Sequence, residues 1–246
     1  ATSGINVDIN SLPTPDWEEV FRHKKPIMGF LGTGPSIALS TSRGCPYSCF
    51  NYCTYPLQQG RKHRLESIHR IADQIEYFQK KLGVKSILFR DPVFTLNRDH
   101  VVKLCREIKH RKLKIVWGAE LHLKDIDNEL ASIMAKAGLR IVFVGIESIN
   151  PESIKKTKRQ NAPIDKQLSS IKILEQNGIS VKAMFIFGFP GDNLNNALKT
   201  INYALTLPIT YLQFSVFTPY PGTPIFAEYK NKITAQNYEN YTQWDL

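Results

Sequence analysis

IALSTSRGCPYSCFNYC, residues 37–53, runs an extended stretch into a cluster of three cysteines, and its reading decides both fold and chemistry. Ile37–Ser42 is short and partly β-branched, as a strand would be. Arg43–Gly44 breaks that pattern, and Cys45, Cys49 and Cys53 follow within nine residues. So tight a trio is not the dispersed, even-numbered framework of a secreted disulfide domain. In a reducing compartment it points to metal or redox chemistry. Three thiolates can hold three irons of a cubane iron–sulfur cluster and leave the fourth iron without a protein ligand. An open metal position is what a ligand-binding site requires. The competing reading is zinc with His63 as a fourth ligand, although zinc motifs usually pair two C-x₂-C units and no such pairs occur here. The fourth cysteine, Cys105, falls on an apolar stripe with Val101, Leu104 and Ile108 and reads as a small buried hydrophobe.

Outward from this segment the chain repeats one unit. Extended runs at Lys85–Arg90, Lys114–Glu120, Leu139–Glu147, Ser180–Phe187 and Ile209–Thr218 alternate with apolar residues at helical spacing. The clearest helix carries Ile68, Ile71, Ile75, Phe78 and Leu82 on one face, with Gly83 placed to stop it. Others are expected around Val101–Ile108, Asp127–Ala137, Asp165–Asn177 and Leu194–Leu205. Six strands and five helices in alternation predict an α/β fold of parallel strands with right-handed crossovers. Eight such units usually need about 250 residues. The expected architecture is therefore a partial (β/α)6 TIM-like barrel over residues 37–224, with a doubly wound open sheet as the alternative. Residues 1–36 read as a leader or linker, and 225–246 as the start of a C-terminal extension.

Both architectures place chemistry at the C-terminal ends of the strands. Those ends carry Arg43–Gly44, Arg90–Asp91, Glu120, Glu147–Ser148 and Gly188–Phe189. Carboxylates and guanidinium groups would thus share one mouth. The net charge of +10, from 32 basic and 22 acidic residues, is scattered along the chain, and this argues against a nucleic-acid surface. No apolar run is long enough to span a membrane, and the first residues lack the pattern of a signal peptide, so a cytoplasmic protein is expected.

With these residues in view, the sequence resembles the radical S-adenosylmethionine (SAM) superfamily. The cysteine loop carries the resemblance first: C-x₃-C-x₂-C with an aromatic before the last cysteine is usual there. Here Tyr52 supplies the aromatic, but the second gap is the three residues Phe50–Asn51–Tyr52. Behind it, ILFRDPVFTLNRDHVVKLC, WGAELHLKDID, AGLRIVFVGIESIN, FIFGFPGD and TPYPGTP follow in the order of the cobalamin-associated branch. The resemblance implies a [4Fe-4S] cluster on Cys45, Cys49 and Cys53, with SAM chelating the open iron. Reductive cleavage of SAM would then give methionine and a 5′-deoxyadenosyl radical. It further implies Tyr52 beside the adenine, Asp91 accepting from the SAM ammonium, and Glu147 with Ser148 at the ribose. Arg159 would meet the carboxylate, with Lys156 in reserve, and Gly188 would allow close approach to the adenine. Glu120 could bind substrate or pair with a base, and His122 stands where related sequences often show arginine.

INSLPTPDWEEV resembles the segment joining a cobalamin-binding domain to the barrel, yet no D-x-H-x-x-G signature occurs in this chain. Cobalamin, if used, would be bound outside these residues. Implied partners are a small-molecule substrate and a reducing donor such as flavodoxin or ferredoxin. Methylation of an unreactive carbon leads the candidate reactions, with rearrangement or ring closure beside it. A non-catalytic iron–sulfur or zinc protein and a radical SAM RNA-modifying enzyme are the rival readings. The last calls for a basic RNA-binding domain or extra cluster cysteines, and neither appears in these 246 residues.

Overall fold

The computed structural model describes residues 7–23, 34–234, 237 and 242–243. The extended runs become β1 (Ser36–Leu39), β2 (Ser86–Phe89), β3 (Val116–Leu121), β4 (Leu139–Glu147), β5 (Ser180–Phe187) and β6 (Tyr211–Val216). Neighbours in the sheet are neighbours in the chain, and every pairing is parallel. A doubly wound sheet reverses its strand order at a switch point. The order here never reverses, so the partial barrel is the fold.

Between the strands lie α1 (Ile68–Leu82), α2 (Arg98–His110), α3 (Asn128–Lys136), α4 (Pro151–Thr157), α5 (Ile164–Gln176) and α6 (Leu194–Thr206). Side-chain caps set several starts: Ser67, Asn97 and Asp127 accept from the backbone N–H three residues on. The short α4 is absent from the sequence reading because seven residues give too little periodicity to detect. The core is built from the helix stripes Ile71, Ile75, Phe78, Leu104, Ile108 and Met134 against Ile87, Phe89, Trp117, Val142 and Phe185 of the sheet. Cys105 is fully buried among them, and burial pushes its thiol up to about 12.

Two edges differ from expectation. The first strand leaves the sheet after Leu39, whose carbonyl accepts from Arg90 N at 2.7 Å. Two residues later the Thr41 N–H has turned to the Asp91 carboxylate instead of a neighbouring strand. Ser42–Arg43 then pairs antiparallel with Arg64–Leu65, which clips the cysteine loop into a closed hairpin. The last strand is likewise shorter than Ile209–Thr218. Of the residues read as leader, 7–23 lie against α1: Trp17 and Phe21 pack on the core, Tyr77 donates to Glu18, and Arg70 donates to the Leu12 carbonyl. The rest of the leader before Gly34 and most of the tail after Thr234 lie outside the described residues. Among the described residues, no helix is long and apolar enough to cross a membrane.

Candidate active site

Gly44 opens the cysteine loop at φ +92°, and a Cβ there would sit 2.1 Å from the Lys62 carbonyl oxygen, so only glycine fits. Cys45 N donates to Gly60 O at 3.1 Å, and a 3-10 turn follows over Ser48–Asn51. Cys53 N donates to Cys49 O at 2.9 Å, which closes a full helical turn between them. The three-residue gap therefore brings both thiols to one face. Asn51 Nδ2 donates to Lys156 O at 2.9 Å and Gln160 Nε2 to Ser48 Oγ at 3.4 Å, so the loop docks on the last turn of α4 and the segment after it.

That segment carries Arg159 to the thiols. Arg159 Nη2 donates to Gly145 O at 2.5 Å and Nε to Asn161 Oδ1 at 3.0 Å. Its Nη1 lies 3.8 Å from Glu147, with both side chains largely buried. The register of β4 on β5 shifts between Gly145 and Glu147, and Glu147 takes φ +66°. This bulge turns the carboxylate inward. A Cβ on Gly145 would meet Glu147 Oε1 at 2.5 Å and Arg159 Nη2 at 3.0 Å, so the pair exists because residue 145 has no side chain.

A cavity of about 190 Å³ joins these groups, lined by Cys45, Cys49, Cys53, Tyr52, Glu147 and Arg159, with Tyr47, Tyr55, Glu120, His122, Phe143 and Met184 among its other walls. A hydrogen bond from Cys53 holds the Cys49 thiol below its ordinary value against burial, with Arg159 assisting. Cys53 is correspondingly raised, and Cys45 is raised by burial. Burial also raises Glu147, opposed by Arg159 and a hydrogen bond from Tyr52. The Tyr52 ring meets Phe189 edge-on at 5.4 Å. On the cavity wall Glu120 pairs with Arg90 at 2.5 Å, and Tyr55 donates to the same carboxylate at 3.2 Å. Of the two options for Glu120, the structure shows the base pairing. Burial and then Arg159 lower His122 to about 4, so it is neutral and its ring contacts the Gln160 carbonyl at 2.5 Å.

The structure thus gathers six of the nine expected residues at one cavity and sets three apart. Asp91 is fully buried, does not line the cavity, and accepts from Thr41 and Ser42. Ser148 Oγ accepts from Asn150 N at 3.0 Å at the entry to α4. Gly188 has φ +80° and open space where a Cβ would stand, but it is not on the cavity wall. Lys156 offers its carbonyl to Asn51. Sequence reasoning passed over Tyr55, whose place two residues after Cys53 could have flagged it. It also passed over Asn161, which carries no sequence signal.

Three thiols on one loop are the donor set that an iron–sulfur cubane takes while keeping one iron open. Among the described residues, no three His, Cys, Asp or Glu side chains converge as a single ion would require, and His63 does not join the cysteines. Residues 39–204 match the sequence profile of the Radical SAM superfamily. An uncharacterized methyltransferase of Pyrococcus horikoshii is 30% identical over 97% of this chain and 51% of its own length. The anaerobic magnesium-protoporphyrin IX monomethyl ester cyclase of Rubrivivax gelatinosus is 26% identical over 93% of this chain and 40% of its own. The chain therefore spans about half, or less, of these curated relatives. In fold it is similar to the radical SAM methyltransferase TsrM of Kitasatospora setae, solved with cobalamin and a [4Fe-4S] cluster bound. The TM-score is 0.74 at 22% identity, over 81% of this chain and 40% of that one.

Proposed function

The chain belongs to the radical SAM superfamily, whose members use a [4Fe-4S] cluster and SAM, and from that premise we propose that it is the catalytic barrel of a cobalamin-dependent methyltransferase. The observation that carries the reading is the single cavity shared by the three cysteines and the Glu147–Arg159 pair. Cys45, Cys49 and Cys53 hold the cluster, which when bound supplies the electron that cleaves SAM. Arg159 offers a fixed positive charge to the SAM carboxylate, and its contacts to Gly145 and Asn161 hold it in place while leaving Nη1 facing Glu147. Glu147 and Tyr52 offer hydrogen-bonding groups to the polar parts of SAM, and the Tyr52 ring closes the wall against water. Glu120 and Tyr55 line the same cavity and would face the substrate, with Arg90 paired to Glu120 behind them.

The methyl-transfer reading is supported by the names of the Pyrococcus and Kitasatospora proteins, and the Rubrivivax cyclase supports ring closure as the second reading. Residues 1–36 would follow a cobalamin-binding domain, 37–224 form the barrel, and 225–246 begin a C-terminal extension. A small-molecule substrate, a flavodoxin or ferredoxin as electron donor, and a cytoplasmic setting complete the proposal. The test is anaerobic reconstitution with iron and sulfide, reduction in the presence of SAM, and assay for 5′-deoxyadenosine, with the full-length protein run beside this chain. Cluster uptake and SAM turnover are the expected result. Native protein that holds one fully coordinated zinc and does not bind SAM would overturn the reading.

A further inference from the structure

Asp91 lies two residues beyond the end of β2, the position from which a carboxylate was expected to reach the SAM ammonium. Its two oxygens are already committed. Oδ1 accepts from Ser42 Oγ at 2.5 Å, Thr41 Oγ1 at 2.9 Å and Thr41 N at 3.1 Å, and Oδ2 accepts from Thr41 N at 3.0 Å. Asp91 is 0% exposed, and its donors Thr41 and Ser42 are 2% and 4% exposed. An ionised carboxylate has about four lone-pair sites, and these contacts occupy most of them inside the protein. Water cannot replace a lost contact there.

The donors are not random neighbours. Thr41 and Ser42 lie between the last ladder residue of β1 and Gly44, where the chain must turn from strand into cysteine loop. Three donor groups from two consecutive residues converge on a side chain 49 and 50 positions away. The other end of the hairpin is anchored by Arg64–Leu65 and by Glu66 N to Thr41 O at 2.9 Å. The direction in which Gly44 and Cys45 leave the sheet is therefore fixed from β2.

We propose that Asp91 is a positioning residue for the iron–sulfur ligands, acting through Thr41 and Ser42 and not by contact with SAM. The inference rests on the cluster assignment above. It joins two sequence segments, TSRGC and FRDP, into one clamp. Asparagine at position 91 keeps the shape and one carbonyl oxygen but replaces acceptor capacity with an NH₂ that faces other donors.

The test uses reconstituted full-length protein carrying Asp91→Asn, with exposed Asp99→Asn as the control. Iron loss to a chelator should be about tenfold faster in Asp91→Asn, the scale of one charge-assisted hydrogen bond, while the SAM dissociation constant stays within about threefold of wild type. The electron paramagnetic resonance spectrum of the reduced cluster should shift before SAM is added. In the double variant with Ser42→Ala, the chelation rate should not rise further, because both changes break the same clamp. If Asp91→Asn does not fold, Ser42→Ala alone should shift the same spectrum. An unchanged spectrum and chelation rate with SAM binding weakened tenfold or more would overturn the proposal, and so would wild-type behaviour throughout. Wild-type protein that takes up no cluster would instead sink the cluster assignment itself.

Discussion

Asp91 and Glu147 are both acids at or just past the C-terminal ends of barrel strands, the first fully and the second largely buried, and burial raises the pKa of each. Their partners separate them. Asp91 is surrounded by two hydroxyls and a backbone N–H, all neutral donors that turn it away from the cavity. Glu147 faces a guanidinium at 3.8 Å from a bulged, left-handed backbone position on the cavity wall. A buried carboxylate with neutral donors ties chain segments together, whereas one beside a buried cation keeps a charged pair that a polar ligand can join. Position on the strand gives an acid its address, and its partners give it its task.

The largest expected effect tests what both acids serve. Cys49→Ala should abolish cluster uptake, read by iron analysis, and bring SAM cleavage to background, read as 5′-deoxyadenosine. Arg159→Ala comes next, because it leaves Glu147 buried without its cation. A loss of about 3–5 kcal/mol in denaturant unfolding is expected. Arg159→Lys should recover only part, since a single ammonium cannot hold Gly145, Asn161 and Glu147 together. If Arg159→Ala cost nothing, the contrast between the two acids would fail. Glu147→Gln should weaken SAM binding by about tenfold, the worth of one charged hydrogen bond, without changing the cluster's resonance in the absence of SAM. That is the mirror image of the outcome expected for Asp91→Asn.

A smaller effect comes from His122, held neutral with its pKa lowered to about 4 from the ordinary 6.5. Between those values the unfolded chain binds the proton and the native chain does not. Stability should therefore fall as pH drops from 6.5 toward 4, by about 1–3 kcal/mol, and His122→Gln should flatten that part of the curve in chemical denaturation at several pH values. The raised carboxylates act with the opposite sign: the native chain keeps protons that the unfolded chain has released, so their contribution declines as pH rises. The smallest effect is for Cys105→Ala, which should cost about 1 kcal/mol by thermal unfolding and leave cluster content intact.

The barrel was legible because its signals are local. Strands such as 139–147 and the stripe Ile71, Ile75, Phe78 show their period within a few turns of chain. The cysteine trio was legible for the same reason, and so was Cys105 as a core residue. The strand ends were harder. The sequence placed Asp91, Ser148 and Gly188 at the mouth, and the folded chain uses the first as a tie and the second at a helix entry, with the third off the cavity wall. Nothing near residue 91 announces Thr41 and Ser42 as its donors, since they lie about fifty positions away. Arg159 was a candidate from its sequence context, but its approach to Cys49 depends on the bulge at Gly145 and the turn after α4.

The order of strands and helices, the cysteine trio and the core stripes were written in the sequence, because periodicity and spacing act over a few neighbouring residues. Which buried charge meets which partner was decided only when distant strand ends came together. A carboxylate's environment is the sum of donors within a few ångströms, and in this barrel those donors come from segments that the chain keeps far apart.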